Sequence, residues 1–331
     1  MYDYGLSILE QYALTAKTAS RIRGALLCHT EKGPVIIREF RGSEKKLVKQ
    51  QELLCTVEQK GYQVDSYLLN EEGGLVSRDR DNIPYTVQRW YEGRECDTRS
   101  REDILKGVRT LANIHKEMRL PVVEYYKEPD LRDEYRRHNQ EMKKIRKFIR
   151  RKSPSCAFEK EFLFSVEEFL EKGEEALEML SGSGYEKLRS QAWEKGTICH
   201  GEYNQHNVLI LGRETAVVNF SHWGFDIQMA DLYRFMRKIL EKYNWDSGLA
   251  EEMLECYGKE QPISPEEWRY LQIRFTYPDK YWKIANYYYS HNKAWISEKN
   301  TEKLKDIIRQ KERWDRFGRE CFGRFLSFPG E

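Results

Sequence analysis

The stretch His200-Gly201-Glu202-Tyr203-Asn204-Gln205-His206-Asn207 decides how this chain is read. Its carboxylate at 202 and its amide at 207 are spaced so that one loop can present both to the same small volume. A carboxylate can take a proton from a hydroxyl, and an amide oxygen beside it can accept a donor or face a cation. Val208-Leu209-Ile210 follows as an apolar strand that anchors the loop. A turn at Gly212 then separates the apolar runs 208–211 and 216–218, so the segment reads as a hairpin. The hairpin ends in Val217-Val218-Asn219-Phe220, and Asp226 and Asp231 follow, with Asp231-Leu232 opening a helix.

Working outward, the N-terminal third mixes strand and helix. Strands are expected over 21–29 and 34–40, around the turn Glu31-Lys32-Gly33. Ser43 caps a helix over 44–60, with Leu47, Leu54 and Val57 at helical spacing and Gly61 closing it. Further strands fit 65–69 and either 75–76 or 84–90. From Gly93 onward the pattern is helical, over 101–119, 131–151 and 158–180, until Ser181-Gly182-Ser183-Gly184 breaks it. Beyond Asp231 it is helical almost to Phe325. Strands first and helices later give an α+β chain. A small β-rich N-terminal lobe is expected over 1–93, and a large helical C-terminal lobe over 94–331 that carries the segment 198–232.

Composition narrows the function classes. The 331 residues suffice for a sizeable core, and a net charge of +2 gives no overall pull toward nucleic acid or membrane surfaces. No stretch approaches the ~20 apolar residues of a membrane span. Met1-Tyr2-Asp3-Tyr4-Gly5 lacks the basic flank and apolar run of a signal peptide. The cysteines at 28, 55, 96, 156, 199, 256 and 321 form no C-x-x-C pair and are odd in number. Reduced thiols of a cytosolic protein fit this better than disulfides or zinc. Cys199 beside His200 does not make a nucleophile pair, because strand neighbours point to opposite faces. The basic run from Arg136 to Lys152 is interrupted by Glu141 and reads as a solvated helix face rather than a nucleic-acid surface. Trp268, Tyr270, Tyr277, Tyr281, Trp282, Tyr287, Tyr288, Tyr289 and Trp295 read mostly as core, and any exposed ones as a surface for protein association.

The loop at 200–207 has the spacing of a kinase catalytic loop, and the chain resembles aminoglycoside phosphotransferases and choline kinases. Leu111-Ala112-Asn113-Ile114-His115 is similar to a helix typical of those small-molecule kinases. The resemblance implies a two-lobed protein-kinase-like fold that uses ATP and Mg2+. Glu202 then stands for the catalytic Asp, with His200 beside it, and Asp226 falls where a second acid braces the loop. Asn207 and Asn219 stand at the metal positions. Arg38 takes the place of the phosphate-contacting Lys, with Glu52 as its ion-pair partner. Arg89, Trp90 and Tyr91 form the hinge that contacts adenine.

Two departures matter. Glu202 is one methylene longer than Asp, which moves a base by ~1.5 Å, and about 1 Å can cost on the order of 100-fold in rate. Asn219 replaces a carboxylate, so the two Asn side chains offer a metal no formal charge. Asn219→Asp is therefore expected to strengthen magnesium-dependent nucleotide binding.

A narrower resemblance is carried by Phe40-Arg41-Gly42-Ser43-Glu44-Lys45, Gly93-Arg94-Glu95-Cys96-Asp97 and Tyr281-Trp282-Lys283-Ile284-Ala285-Asn286-Tyr287-Tyr288. Met236-Arg237-Lys238-Ile239-Leu240 and Trp295-Ile296 point the same way. These segments are similar to CotS-type spore coat proteins, a kinase-like family of endospore formers. The implied setting is the mother-cell cytosol and then the spore coat, with coat proteins as partners. The implied role is a pseudokinase, or a weakly active member, serving coat assembly. The alternative is an ATP-dependent phosphotransferase that acts on a small hydroxyl-bearing substrate with Glu202 as base.

Overall fold

Arg23 and Gly24 both take positive φ, 47° and 78°, and so form a two-residue hairpin turn. The expected single strand over 21–29 is therefore two, β1 (Ala16–Ile22) and β2 (Ala25–Thr30). An Arg-Gly turn lacks the Asn or Asp that usually announces this geometry. The computed structural model describes residues 5–290 and 298–323. Met1 to Tyr4, Trp295, Ile296 and Phe325 lie outside them.

β3 (Gly33–Glu39), α1 (Glu44–Gln59), β4 (Gln63–Val64), β5 (Ser77–Arg78), β6 (Pro84–Arg89) and β7 (Arg94–Glu95) follow. The first sheet is antiparallel with order β1-β2-β3-β6-β5, and Arg38 lies opposite Thr86 within it. One face packs Ile8, Leu9, Cys28, Val35, Ile37 and Val87 into a buried cluster. α1 turns Leu47, Leu53, Leu54 and Val57 inward. Ser43 holds its N-cap position without a side-chain cap bond, and Gly61 ends it at φ 90°.

The strand expected over 65–69 does not form. Tyr67 makes one isolated antiparallel bridge to Gln88 of β6, and β4, which ends just before this stretch, joins later strands of the chain. These later strands are β8 (Ile198–Cys199), β9 (Val208–Leu211), β10 (Glu214–Val217) and β11 (Gly224–Phe225). The second sheet has order β4-β10-β9-β7, with β4 parallel to β10, and β8 pairs with β11.

The helices are α2 (Arg101–Glu117), α3 (Leu131–Lys152), α4 (Ala157–Met179), α5 (Tyr185–Glu194), α6 (Met229–Leu240), α7 (Ser247–Glu260), α8 (Pro265–Thr276), α9 (Asp279–Ser290) and α10 (Glu298–Gly323). α8 starts with a full capping box, Ser264 with Glu267, and Pro265 in its first turn. The chain is thus α+β, with a β-rich N-terminal part and a mostly helical C-terminal part.

Two compact units result. The first joins the chain up to Val122 with Lys195–Asp231, and the second joins Val123–Glu194 with the described residues from Leu232 onward. The hairpin segment therefore clusters with the N-terminal sheets, because β10 is zipped onto β4.

The second unit has an aromatic core. Tyr135 stacks on Tyr277 at 3.6 Å, Phe169 on Tyr281 at 4.0 Å, and Phe158 on Tyr288 at 4.1 Å. Tyr270, Tyr277, Tyr281 and Tyr288 are buried as expected, whereas Tyr287 and Tyr289 are exposed. Much of the basic face of α3 is spent on α4, with Lys143 on Glu174, Arg146 and Arg150 on Glu167, and Lys152 on Glu159. All seven cysteines are free thiols. No described helix is long and apolar enough to cross a membrane.

Candidate functional site

The hairpin β9–β10 places Asn207 just before its first strand and Asn219 just after its second. The backbone N–H of Val218 donates to Asn207 O at 3.0 Å, which closes the two ends together. Asn219 sits in the left-handed region, φ 68° and ψ 53°, which Asn tolerates better than most side chains. Its Nδ2 donates to Asn207 Oδ1 at 2.7 Å, and Asn207 Nδ2 donates to Glu202 O at 2.9 Å. One amide ladder thus runs from Asn219, through Asn207, to the backbone carbonyl of Glu202.

The loop is braced from beneath. Asp231, in the first turn of α6 and fully buried, accepts the N–H groups of His200 at 2.6 Å and Gly201 at 3.0 Å. His115 Nε2 lies 3.4 Å from the same carboxylate. Gly201 has φ 83°, and a Cβ there would stand 1.9 Å from His222 O, so no other residue fits. His200 Nε2 meets Val218 O at 3.0 Å while its Nδ1 accepts the Glu202 N–H at 3.2 Å, which assigns the proton to Nε2.

The brace at His200 and Gly201 comes from Asp231, whereas Asp226, expected in that role, accepts the N–H of Ile227 with its Oδ1 at 2.8 Å. Cys199 Sγ points to Ile227 O, away from the direction His200 takes. The Glu202 carboxylate is 56% exposed, with His222 Nε2 3.8 Å away, and so it remains open to an incoming group.

Arg38 reaches this ladder from the first sheet, and its Nη2 donates to Asn219 Oδ1. Its guanidinium also lies 5.9 Å from the centre of the Trp90 ring. Glu52 is not its partner. Glu52 sits on the exposed face of α1 with its carboxylate on Lys49 at 2.6 Å, because the inward positions of that helix are taken by Gln50, Leu53 and Leu54. The carboxylate that faces Arg38 belongs to Asp65.

Parallel pairing of Val64 with Val217 sets Asp65 beside Asn219, whose backbone N–H donates to Asp65 Oδ2 at 2.7 Å. Complete burial pushes the Asp65 carboxyl up to about 7, against the pull of the Asn219 N–H and Arg38. Its Oδ1 has no hydrogen-bond partner. Burial likewise lowers the Arg38 guanidinium from its ordinary value, and Asp65 opposes that shift. Periodicity around position 65 carries no hint of this role.

The hinge residues divide. Trp90 and Tyr91 pack on Leu209, Ala216 and Val218, and Tyr91 donates its hydroxyl to Val64 O at 2.9 Å. Arg89 is turned toward Glu58 of α1 at 3.7 Å with its side chain exposed. A cavity of about 270 Å³ opens beside Arg38, lined by Arg41, Lys46, Gln50, Tyr67, Gln88 and Asn219 among others. The tip of the β1–β2 hairpin is tied down near the loop. Arg23 Nη2 pairs with Glu95 at 2.6 Å, and His206 Nδ1 stands 2.8 Å from Arg23 and 2.5 Å from Glu95.

The resemblance read from the sequence implies a divalent ion at Asn207 and Asn219, and the donors here do not fit one. The Oδ1 of Asn219 is committed to a guanidinium, and that of Asn207 to the Asn219 amide. Neither carries charge, and Mg2+ is ordinarily held through carboxylates together with phosphates. Among the described residues, no group of three or more His, Cys, Asp or Glu side chains could hold a metal.

This sheet, loop and hairpin define the class, a chain with the kinase-like fold of the aminoglycoside phosphotransferases. The crystal structure of an aminoglycoside phosphotransferase from Alicyclobacillus acidocaldarius subsp. acidocaldarius DSM 446 matches with a TM-score of 0.87 at 17% identity, over 97% of this chain and 96% of that one. A spectinomycin phosphotransferase in complex with ADP and spectinomycin gives 0.58 at 11%, over 94% and 96%. An amicoumacin kinase with AMP-PNP and Ca2+ gives 0.58 at 14%, over 93% and 89%. At these identities the likeness is one of fold. The chain belongs to the family of the spore coat putative kinase YutH, which matches residues 6–321.

Proposed function

We propose that this member of the spore coat family is a pseudokinase, made in the mother-cell cytosol and kept for assembly with coat proteins rather than for phosphate transfer. The observation that carries the reading is the closed ladder Arg38–Asn219–Asn207–Glu202 O, in which both amide oxygens at the metal positions are already satisfied within the protein. Glu202 adds to it, since its longer side chain displaces a base that tolerates little displacement. The rest of the loop is intact because the brace from Asp231 and the hairpin are structural necessities of the fold, whether or not chemistry occurs.

The test is ADP release from ATP, with Mg2+ or Mn2+ and a panel of amino alcohols and aminoglycosides as acceptors. The expected result is release no faster than the blank without protein. Sustained, acceptor-dependent ADP release would overturn the reading. It would favour the second one, a small-molecule phosphotransferase with Glu202 as base, for which the exposure of that carboxylate is the supporting observation.

A further inference from the structure

We infer that Arg38 is the resident cation of this site, and that the site takes the polyphosphate of a nucleoside triphosphate without a divalent metal. The inference deepens the reading above and rests on it for the location of the phosphates. Three observations carry it.

First, a guanidinium already holds Asn219 Oδ1, the atom a metal would need. A dication brought there would meet a fixed positive charge a few ångströms away, in a setting where burial weakens screening. Second, Arg38 is itself held. Asp65 faces it from a position locked by the Asn219 N–H, and the Trp90 ring lies on another side. A guanidinium has five N–H donors in a rigid fork, and its bond to Asn219 uses one, so others can take phosphate oxygens. Third, the cavity beside Arg38 also carries Lys46, and Arg41 paired with Glu39 on the same wall. Polyphosphate charge can thus be met by side chains where a kinase meets it with metal.

The probe is AMP-PNP, titrated by calorimetry into the full chain, once in excess EDTA and once in excess Mg2+. The expected result is binding in EDTA, with a dissociation constant within about threefold of that in Mg2+. Arg38→Gln is expected to lose about tenfold or more in EDTA and to regain part of it in Mg2+, since Asn219 Oδ1 is then released. Arg38→Lys keeps the charge but not the fork and should fall between the two, which covers the case of a Gln variant that fails to fold. The wild-type comparison decides without any variant.

Binding that appears only with Mg2+ overturns the inference and leaves the pseudokinase reading standing if no ADP is released. Binding in neither condition also overturns it, and points to a fold used only for its surface. ADP release in the assay above is the separate outcome that sinks the pseudokinase reading itself.

Discussion

Asp231 and Asp65 show how much a single buried carboxylate can organise. Asp231 accepts two loop N–H groups and faces His115 with no exposure to water. Removing one partner of such a buried network typically costs about 3–5 kcal/mol. Asp231→Ala should therefore lower urea stability by that order. An unchanged urea midpoint would contradict the assignment of the brace. At Asn219 the geometry revises an expectation drawn from sequence. A new carboxylate in Asn219→Asp meets Arg38 before it meets a metal, so magnesium dependence should emerge in Arg38→Ala/Asn219→Asp and not in the single variant. Titration of AMP-PNP with and without Mg2+ reads this directly. That Glu202, Asn207 and Asn219 come together was legible, because their spacing is local and a hairpin joins them. Asp65 was not, since it reaches Asn219 across 154 positions through a two-residue parallel strand that no periodicity announces.

Among the elements, the long helices were the most legible. α2, α3 and α4 lie within a few residues of their expected bounds because apolar spacing and caps agree, with Ser100 and Asp130 accepting N–H groups of their first turns. Short strands were least legible, for a two-residue strand has no pattern to read. The loop over 200–207 depends on one backbone conformation, that of Gly201. Gly201→Ala places a Cβ on His222 O and adds strain from a positive φ, so it should cost at least about 1–3 kcal/mol. A thermal melt of the variant, with no loss, would show that the loop can relax where the structure leaves it no room. The basic helix α3 illustrates a charge run whose meaning is decided by its neighbour, since four of its cations are answered by acids of α4.

For the whole molecule, acid acts on buried groups in both units, and those of the helical unit lose stability as pH falls. Burial pushes the His138 ring down to about 4, with Arg137 adding to the effect, while the ring stacks on Trp282 at 3.3 Å. A histidine whose folded value is depressed contributes stability above its ordinary value near 6.5 and loses it as pH falls toward 4. The amount is on the order of 3 kcal/mol. Burial alone would raise Glu159, yet Lys152, the Ser155 N–H and hydroxyl, and the Tyr288 hydroxyl together hold it at about 2. Its stabilisation is present above the usual carboxylate range and is lost as pH falls through about 2. Asp65, raised to about 7, works the other way over this window, because the fold takes up its proton first and gains as pH falls. His138 is therefore read as a difference: from pH 7 to pH 4 the urea midpoint of His138→Gln should gain on that of wild type. A constant gap between the two would remove His138 from the account.

The Arg23–Glu95–His206 contact has a kinetic consequence. Its side chains are partly exposed, at 51%, 37% and 40%, so ions in solution weaken it readily. Ordinary steering makes a phosphate ligand arrive more slowly as salt is added. If the β1–β2 tip must lift from the loop before phosphates enter, salt speeds the lifting, and the association rate constant climbs with ionic strength over its lower range. Arg23→Ala, with no tie to break, should return the usual downward slope.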